Sequence, residues 1–240
     1  DLSTLTNING RDLYVSGGIQ VDLPQITEVV NTDGDMLWQT SGVGSVLSLP
    51  NLTSIQNGTE LGQDFRFKAL DGGRIQLPQI EHIVEPLRGN SNGRSIAFEA
   101  RGPGSTIDLS LLSSFEDLHA GGLGDGYQDK SPQYSELVVA DGGTIQLGQL
   151  RSARGVAISL DGTLDVSTLE ELVDGHLNIH TAVAFSRLST IDGSDLDLHV
   201  AGVTLPVLTT ATNGWLKTNG NAVDLSTLTN INGRDLYVSG

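Results

Sequence analysis

An apolar residue followed three and six positions later by two more recurs ten times along this sequence, and no other feature constrains the fold as strongly. The series opens with Leu2-Leu5-Ile8. It continues with Leu23-Ile26-Val29, Leu49-Leu52-Ile55, Leu77-Ile80-Ile83, Leu109-Leu112-Phe115 and Leu147-Leu150-Ala153. It ends with Val166-Leu169-Leu172, Phe185-Leu188-Ile191, Leu205-Leu208-Ala211 and Leu225-Leu228-Ile231. Successive triads start 21, 26, 28, 32, 38, 19, 19, 20 and 20 residues apart, 223 in all. Such a period marks a repeat architecture.

Residues 1–17 read DLSTLTNINGRDLYVSG, and residues 224–240 repeat the same 17 letters. Neighbouring coils share only an apolar skeleton, so the duplicated unit is the long block. We therefore expect one nine-coil unit over 1–223, with 224–240 opening the next identical unit of the same continuous solenoid.

Each coil carries a second apolar element that alternates with period two and usually runs into glycine, as in Leu13-Tyr14-Val15-Ser16-Gly17. That is a strand signal. Gly-rich corners follow, such as Asp71-Gly72-Gly73 and Asp141-Gly142-Gly143, where positive φ is expected. Pro24, Pro50, Pro78 and Pro206 directly follow a triad's first residue; lacking an N–H, they belong at corners. Only short stretches such as 167–173 read as a helical turn or two.

A coil of some 20 residues cannot close a core, whereas stacked coils bury their inward side chains on one another. The expected fold class is all-β, a parallel β-helix (β-solenoid). A leucine-rich horseshoe is the nearest rival, but it needs an Asn at one fixed place. The residues five past the anchor run Asn7, Glu28, Ser54, His82 and Ser114, with no such column.

The stretches LSLPNLTSIQNG (47–58) and DLSTLTNINGRDLYVSG resemble the coils of receptor L-domain-like repeats. They resemble more closely the related tandem repeats of very large secreted bacterial surface proteins, a pattern that GSTIDLSLLSSF (104–115) and FEARGPG (98–104) also fit. The resemblance covers essentially all coils, with long departures in coils three to five. It implies a right-handed helix on or outside the cell and carries no catalytic residues.

Composition narrows the partners. The net charge is −16, with 13 basic against 29 acidic residues, so a polyanion is repelled and nucleic acid is not expected. There is no Cys to form a disulfide or ligate a metal, and no apolar run long enough for a membrane span. The chain starts on Asp without a signal segment, so we expect a processed protein or a stretch of a longer one. The series begins and ends on ordinary core residues, Leu2 and Val238. The expected partner is therefore the chain itself, head-to-tail or as a covalent tandem array, with lateral fibre contacts. Nine coils rise about 43 Å at ~4.8 Å per coil.

The loops after the third triad position absorb most length variation, within 56–64, 84–95 and 116–136, and stacking sets them on one edge. The last holds Asp117, His119, Tyr127 and Tyr134, candidates for recognition or lateral contact, against the plainer reading of a solvated insertion. Within it GGLGDGYQD (121–129) resembles a calcium-binding nonapeptide repeat, with Asp125 and Asp129 as candidate ligands; no other cofactor is expected. Tyr14 and its copy Tyr237 alternate outward and are interface candidates. Trp38 aligns with Phe98 when WQTSGVGSVLSL (38–49) is set on FEARGPGSTIDL (98–109), which turns it inward. His180 and His199 occupy matching places and should stack. Asp1, Asp22, Ser48, Gln76, Asp108, Gln146, Asp165, Thr204 and Asp224, each just before a triad, should form an outward polar row. Asn51 and Asn57 open formal glycosylation sequons.

The expected function is a structural component of an extracellular fibre or cell-surface filament. The alternative is an adhesin or glycan-binding β-helix that uses the loops of coils three to five. A polysaccharide-degrading enzyme is less favoured, because the repeat register sets no carboxylate pair beside Arg66, Arg94 or Arg101 and the chain has only three Lys. We read the chain as a non-enzyme.

Overall fold

The computed structural model describes residues 2–32, 34–60, 62–89, 94–120 and 134–237. Every regular element among them is a β-strand, and the strands stack in long parallel sheets. The first sheet runs Leu13–Ser16, Met36–Ser41, Asp64–Leu70, Ser95–Arg101, Ser135–Ala140, Val156–Leu160, His176–Ile179, Asp195–Leu198, Gly214–Lys217 and Arg234–Tyr237. The second starts at Gln20–Asp22 and passes through Val46–Ser48, Arg74–Gln76, Thr106–Asp108 and Thr144–Gln146 to Thr163–Leu164. The third runs from His82–Glu85 through Ser114–Asp117, Ser152–Arg154, Glu171–Val173 and Thr190–Asp192 to Thr210–Thr212. Glu28–Val30 and Ser54–Gln56 pair separately, the latter beside His82–Glu85. The expected parallel β-solenoid is the observed architecture.

The triad spacing has a local cause. The N–H of the second triad residue donates to the carbonyl of the first: Ile26 to Leu23 at 3.3 Å, Leu52 to Leu49 at 3.2 Å, Leu112 to Leu109 at 2.9 Å. The gap of three is a β-turn that returns two side chains to the same interior. Pro24, Pro50, Pro78 and Pro206 sit at its second position, where a fixed φ near −65° fits and no N–H is needed. The third triad residue then lies inward on a strand, as Ile55, Ile83 and Phe115 do. All eight triads from Leu23-Ile26-Val29 to Leu205-Leu208-Ala211 are buried. The stretch 167–173 is not helical; it is a turn followed by strand Glu171–Val173.

Parallel register carries each inward residue onto its counterpart. The central column of the first sheet is Leu13, Trp38, Phe67, Phe98, Leu137, Ile158, Leu177, Leu196, Leu216 and Leu236. Trp38 faces inward as expected and is fully buried, but Phe67 lies between it and Phe98. Phe67 stacks on Phe98 with centroids 4.6 Å apart and meets Trp38 edge-on at 5.2 Å. Burying such rings gains roughly 1.5–3 kcal/mol each.

At the corner after the first sheet, the Gly73 N–H donates to the Leu70 carbonyl at 2.9 Å. Asp71 and Gly72 between them both have positive φ, 52° and 89°, and Asp141 and Gly142 match them at 52° and 82°. A Cβ at Gly73 would lie 2.7 Å from the Thr40 carbonyl carbon of the coil below, so this glycine is fixed by close approach.

Candidate functional site

The longest strands of the first sheet, Asp64–Leu70 and Ser95–Arg101, lie where the connecting loops are longest. Their outward residues and those of Ser135–Ala140 line a surface groove of about 340 Å³, with Arg66, Lys68, Glu99, Tyr134 and Glu136 on its walls. Alternation puts these side chains outside because Phe65, Phe67, Phe98 and Leu137 between them point in. Register then assembles the set: Glu99 lies opposite Lys68, Ala97 opposite both Arg66 and Glu136.

Lys68 Nζ is 2.8 Å from Glu99 Oε2, and Arg101 Nε is 3.0 Å from Glu99 Oε1. Burial works to raise the Glu99 carboxyl's proton affinity, but the bonds from Lys68 and Arg101 outweigh it and hold the group below the usual range. Arg101 also reaches Asp141 at 2.8 Å, and Arg66 pairs with Asp64. Glu136 goes the other way: desolvation pushes it up, and the attraction of Arg66 only partly offsets this. Burial likewise raises the Tyr134 hydroxyl, with Asp195 and Asp174 adding to it. The groove thus offers donors and acceptors of both signs and one half-buried aromatic ring.

This cluster corrects the expectation that register sets no carboxylate pair beside Arg66, Arg94 or Arg101: Glu99 and Glu136 line one groove with Arg66. The triads alone do not bring these residues together, because the intervening coils are 32 and 38 residues long. The signal available was position: Glu99 is one residue past Phe98, and Glu136 one before Leu137, in two already alternating strands.

Asp117 does not face solvent. It is 2% exposed at a corner, where its Oδ2 accepts from the N–H and hydroxyl of Ser135 at 3.0 and 2.9 Å and its Oδ1 from the His119 N–H at 3.0 Å. Burial raises its proton affinity against those bonds. His119 is half-buried beside it, and Tyr134 is half-buried in the groove. Asp125, Tyr127 and Asp129 lie outside the described residues. Tyr14 and Tyr237 are exposed, 64% and 54%.

Asp117 belongs to a buried polar column eight residues past the triad start, which continues upstream as Glu85, Asn57 and Asn31. Asn31 Nδ2 donates to Asn57 Oδ1, and Asn57 also meets Glu85. Glu85 forms a fully buried ion pair with Arg94, and burial, outweighing that pairing, pushes the Glu85 carboxyl up. Asn57 is therefore a packed corner residue and not an accessible sequon, whereas Asn51 is exposed.

His180 and His199 stack as expected, rings 4.3 Å apart and 5° from parallel, with His199 Nε2 3.2 Å from Asp197. Of the expected polar row, Asp22, Ser48, Gln76, Asp108 and Gln146 lie in register, and Ser48 donates to Asp22 at 2.9 Å; Asp1 lies outside the described residues. Among the described residues, no three His, Asp or Glu side chains converge as a metal site, and no helix is long and apolar enough to cross a membrane.

No family model, curated protein or solved structure matches the chain.

Proposed function

We propose that this chain is a structural segment of an extracellular or cell-surface filament, in which 223-residue blocks follow one another in one unbroken solenoid. One observation carries the reading. The 17-residue sequence that occurs twice is seen with a different neighbour each time. As Leu13–Ser16 it pairs upward with Met36–Ser41; as Arg234–Tyr237 it pairs downward with Gly214–Lys217. Joining the two views gives a stretch with a parallel partner on each side, as in the interior of the stack. The same complementarity appears in the triads. Leu225 and Leu228 are half-buried where Leu2 and Leu5 are exposed, while Ile8 is buried where Ile231 is 46% exposed. Electron microscopy of surface material from the native source tests the proposal. It predicts filaments with a ~4.8 Å rung spacing; compact isolated particles would remove it.

The groove lined by Arg66, Lys68, Glu99, Tyr134 and Glu136 favours a second reading, a glycan-binding segment. Polar groups of both signs around one aromatic ring suit hydroxyl-rich ligands. Glu99 is engaged by Lys68 and Arg101, which fits a binding surface better than acid–base catalysis. A glycan array, read beside a depolymerisation assay, separates the two. Retention without turnover that is lost in Lys68→Ala supports the second reading, and turnover overturns the non-enzymatic one.

A further inference from the structure

We propose that Arg11 is a latch joining one block to the block before it, and that its receptor is a cradle of backbone carbonyls formed by Ser194, Thr212 and Trp215. The inference rests on the tandem reading and names the contact that holds it together.

The copy of Arg11 displays the latched state. Arg234 is 9% exposed, with Nη1 3.0 Å from the Trp215 carbonyl and Nη2 2.9 Å from that of Ser194 and 3.1 Å from that of Thr212. The Ser194 bond reaches past the adjacent coil into the one beneath. It can do so because the residue directly opposite Arg234 is Gly214. A Cβ there would lie 2.6 Å from the same Ser194 oxygen and occupy the guanidinium's path. Asp192 and Asp195 add negative potential around the site. Arg11, in the same 17-residue context but with no coil beneath it in this structure, is exposed.

Register explains why the block start needs this residue. Carried back two residues, the Leu13–Trp38 register sets Arg11 in line with Met36, Phe65 and Ile96, all buried apolar side chains. Beneath Arg234 it falls to Gly214 and then Ser194. Small residues at the end of one block and a long one at the start of the next fit as hole and peg. A guanidinium suits the hole because its planar donors can satisfy several carbonyls at once. The surface around Arg11 therefore takes, as its partner, the two coils that end at Lys217 of a preceding block.

Hydrogen exchange on the 240-residue chain tests the latch. Arg234→Ala should speed exchange of the amides of Asn213 and Thr218, which donate to the Asn232 and Tyr237 carbonyls of the last coil, by tenfold or more, while Arg11→Ala leaves the whole profile unchanged. Arg234→Met keeps the bulk and removes the donors, and should expose the same amides. Full protection in the Met variant, or equal profiles for the two Ala variants, overturns the latch. A polypeptide of two consecutive blocks separates this from the tandem reading. If the coil around its joint exchanges as freely as an exposed end, the tandem reading fails. If the joint is protected but indifferent to the arginine, only the latch fails.

Discussion

The side-chain amide of Asn31 donates to Oδ1 of Asn57, one coil above, at 2.9 Å, and both residues are buried. Asn57 in turn donates to the carbonyls of Gln63 and Ser95 and accepts from the Gly58 N–H. The corner between the third and first sheets leaves backbone groups that no ladder serves. This column serves them, and an unmet buried group costs about 1–3 kcal/mol. Asn57→Ala should therefore lose roughly 1–3 kcal/mol in chemical denaturation. Asn51→Ala, at an exposed turn, should change little.

Phe67 sits between Trp38 and Phe98 in a fully buried column. Truncation leaves a cavity that neighbouring coils cannot collapse, since each is fixed by its own ladder. Phe67→Ala should cost about 3–5 kcal/mol and Phe67→Leu clearly less, measured by urea unfolding.

The Glu85–Arg94 pair is wholly buried and lies against the Asn57 corner. Removing one partner strands a charge, so Arg94→Ala should cost about 3–5 kcal/mol. The double change Glu85→Leu with Arg94→Met should recover most of that loss. A double variant no more stable than Arg94→Ala would show that the corner depends on the charges themselves.

The two groove carboxylates should respond to pH with opposite signs. Glu99 is held below its ordinary value, so its contribution is full above that value and is lost as pH falls through it toward the folded one. Glu99→Gln should destabilise at pH 7, by under about 1 kcal/mol because the pairs are partly exposed, with the gap closing on acidification. Glu136 is held above its ordinary value, so the folded chain holds its proton longer than the unfolded chain and stability falls as pH rises through that window. Glu136→Gln should stabilise at pH 7, and this gain should vanish below about pH 4. Thermal melts across pH 3–8 check both.

Sequence alone carried the apolar skeleton, because stacking depends on one inward residue recurring at each turn, and Leu49, Leu52 and Ile55 announce that without knowledge of loop lengths. It placed Trp38 inward by matching it to Phe98 but could not show that Phe67 comes between, since the coil lengths there differ. An Asp among glycines read as surface, yet Asp117 is the register partner of Glu85 and braces a corner. No Asn column lies five residues past the triad start, whereas a buried polar column, Asn31, Asn57, Glu85 and Asp117, stands eight past it. The groove was hidden for the same reason: Glu99 and Glu136 become neighbours only when strands separated by a 38-residue coil are aligned.

Cryo-electron microscopy of a polypeptide carrying two consecutive 223-residue blocks addresses continuity most directly. The expected result is a single straight stack in which the second copy of DLSTLTNINGRDLYVSG is hydrogen-bonded to strands on both sides, with the ~4.8 Å spacing unbroken through it. Two stacks meeting at a hinge, with that copy paired on one side alone, would contradict it.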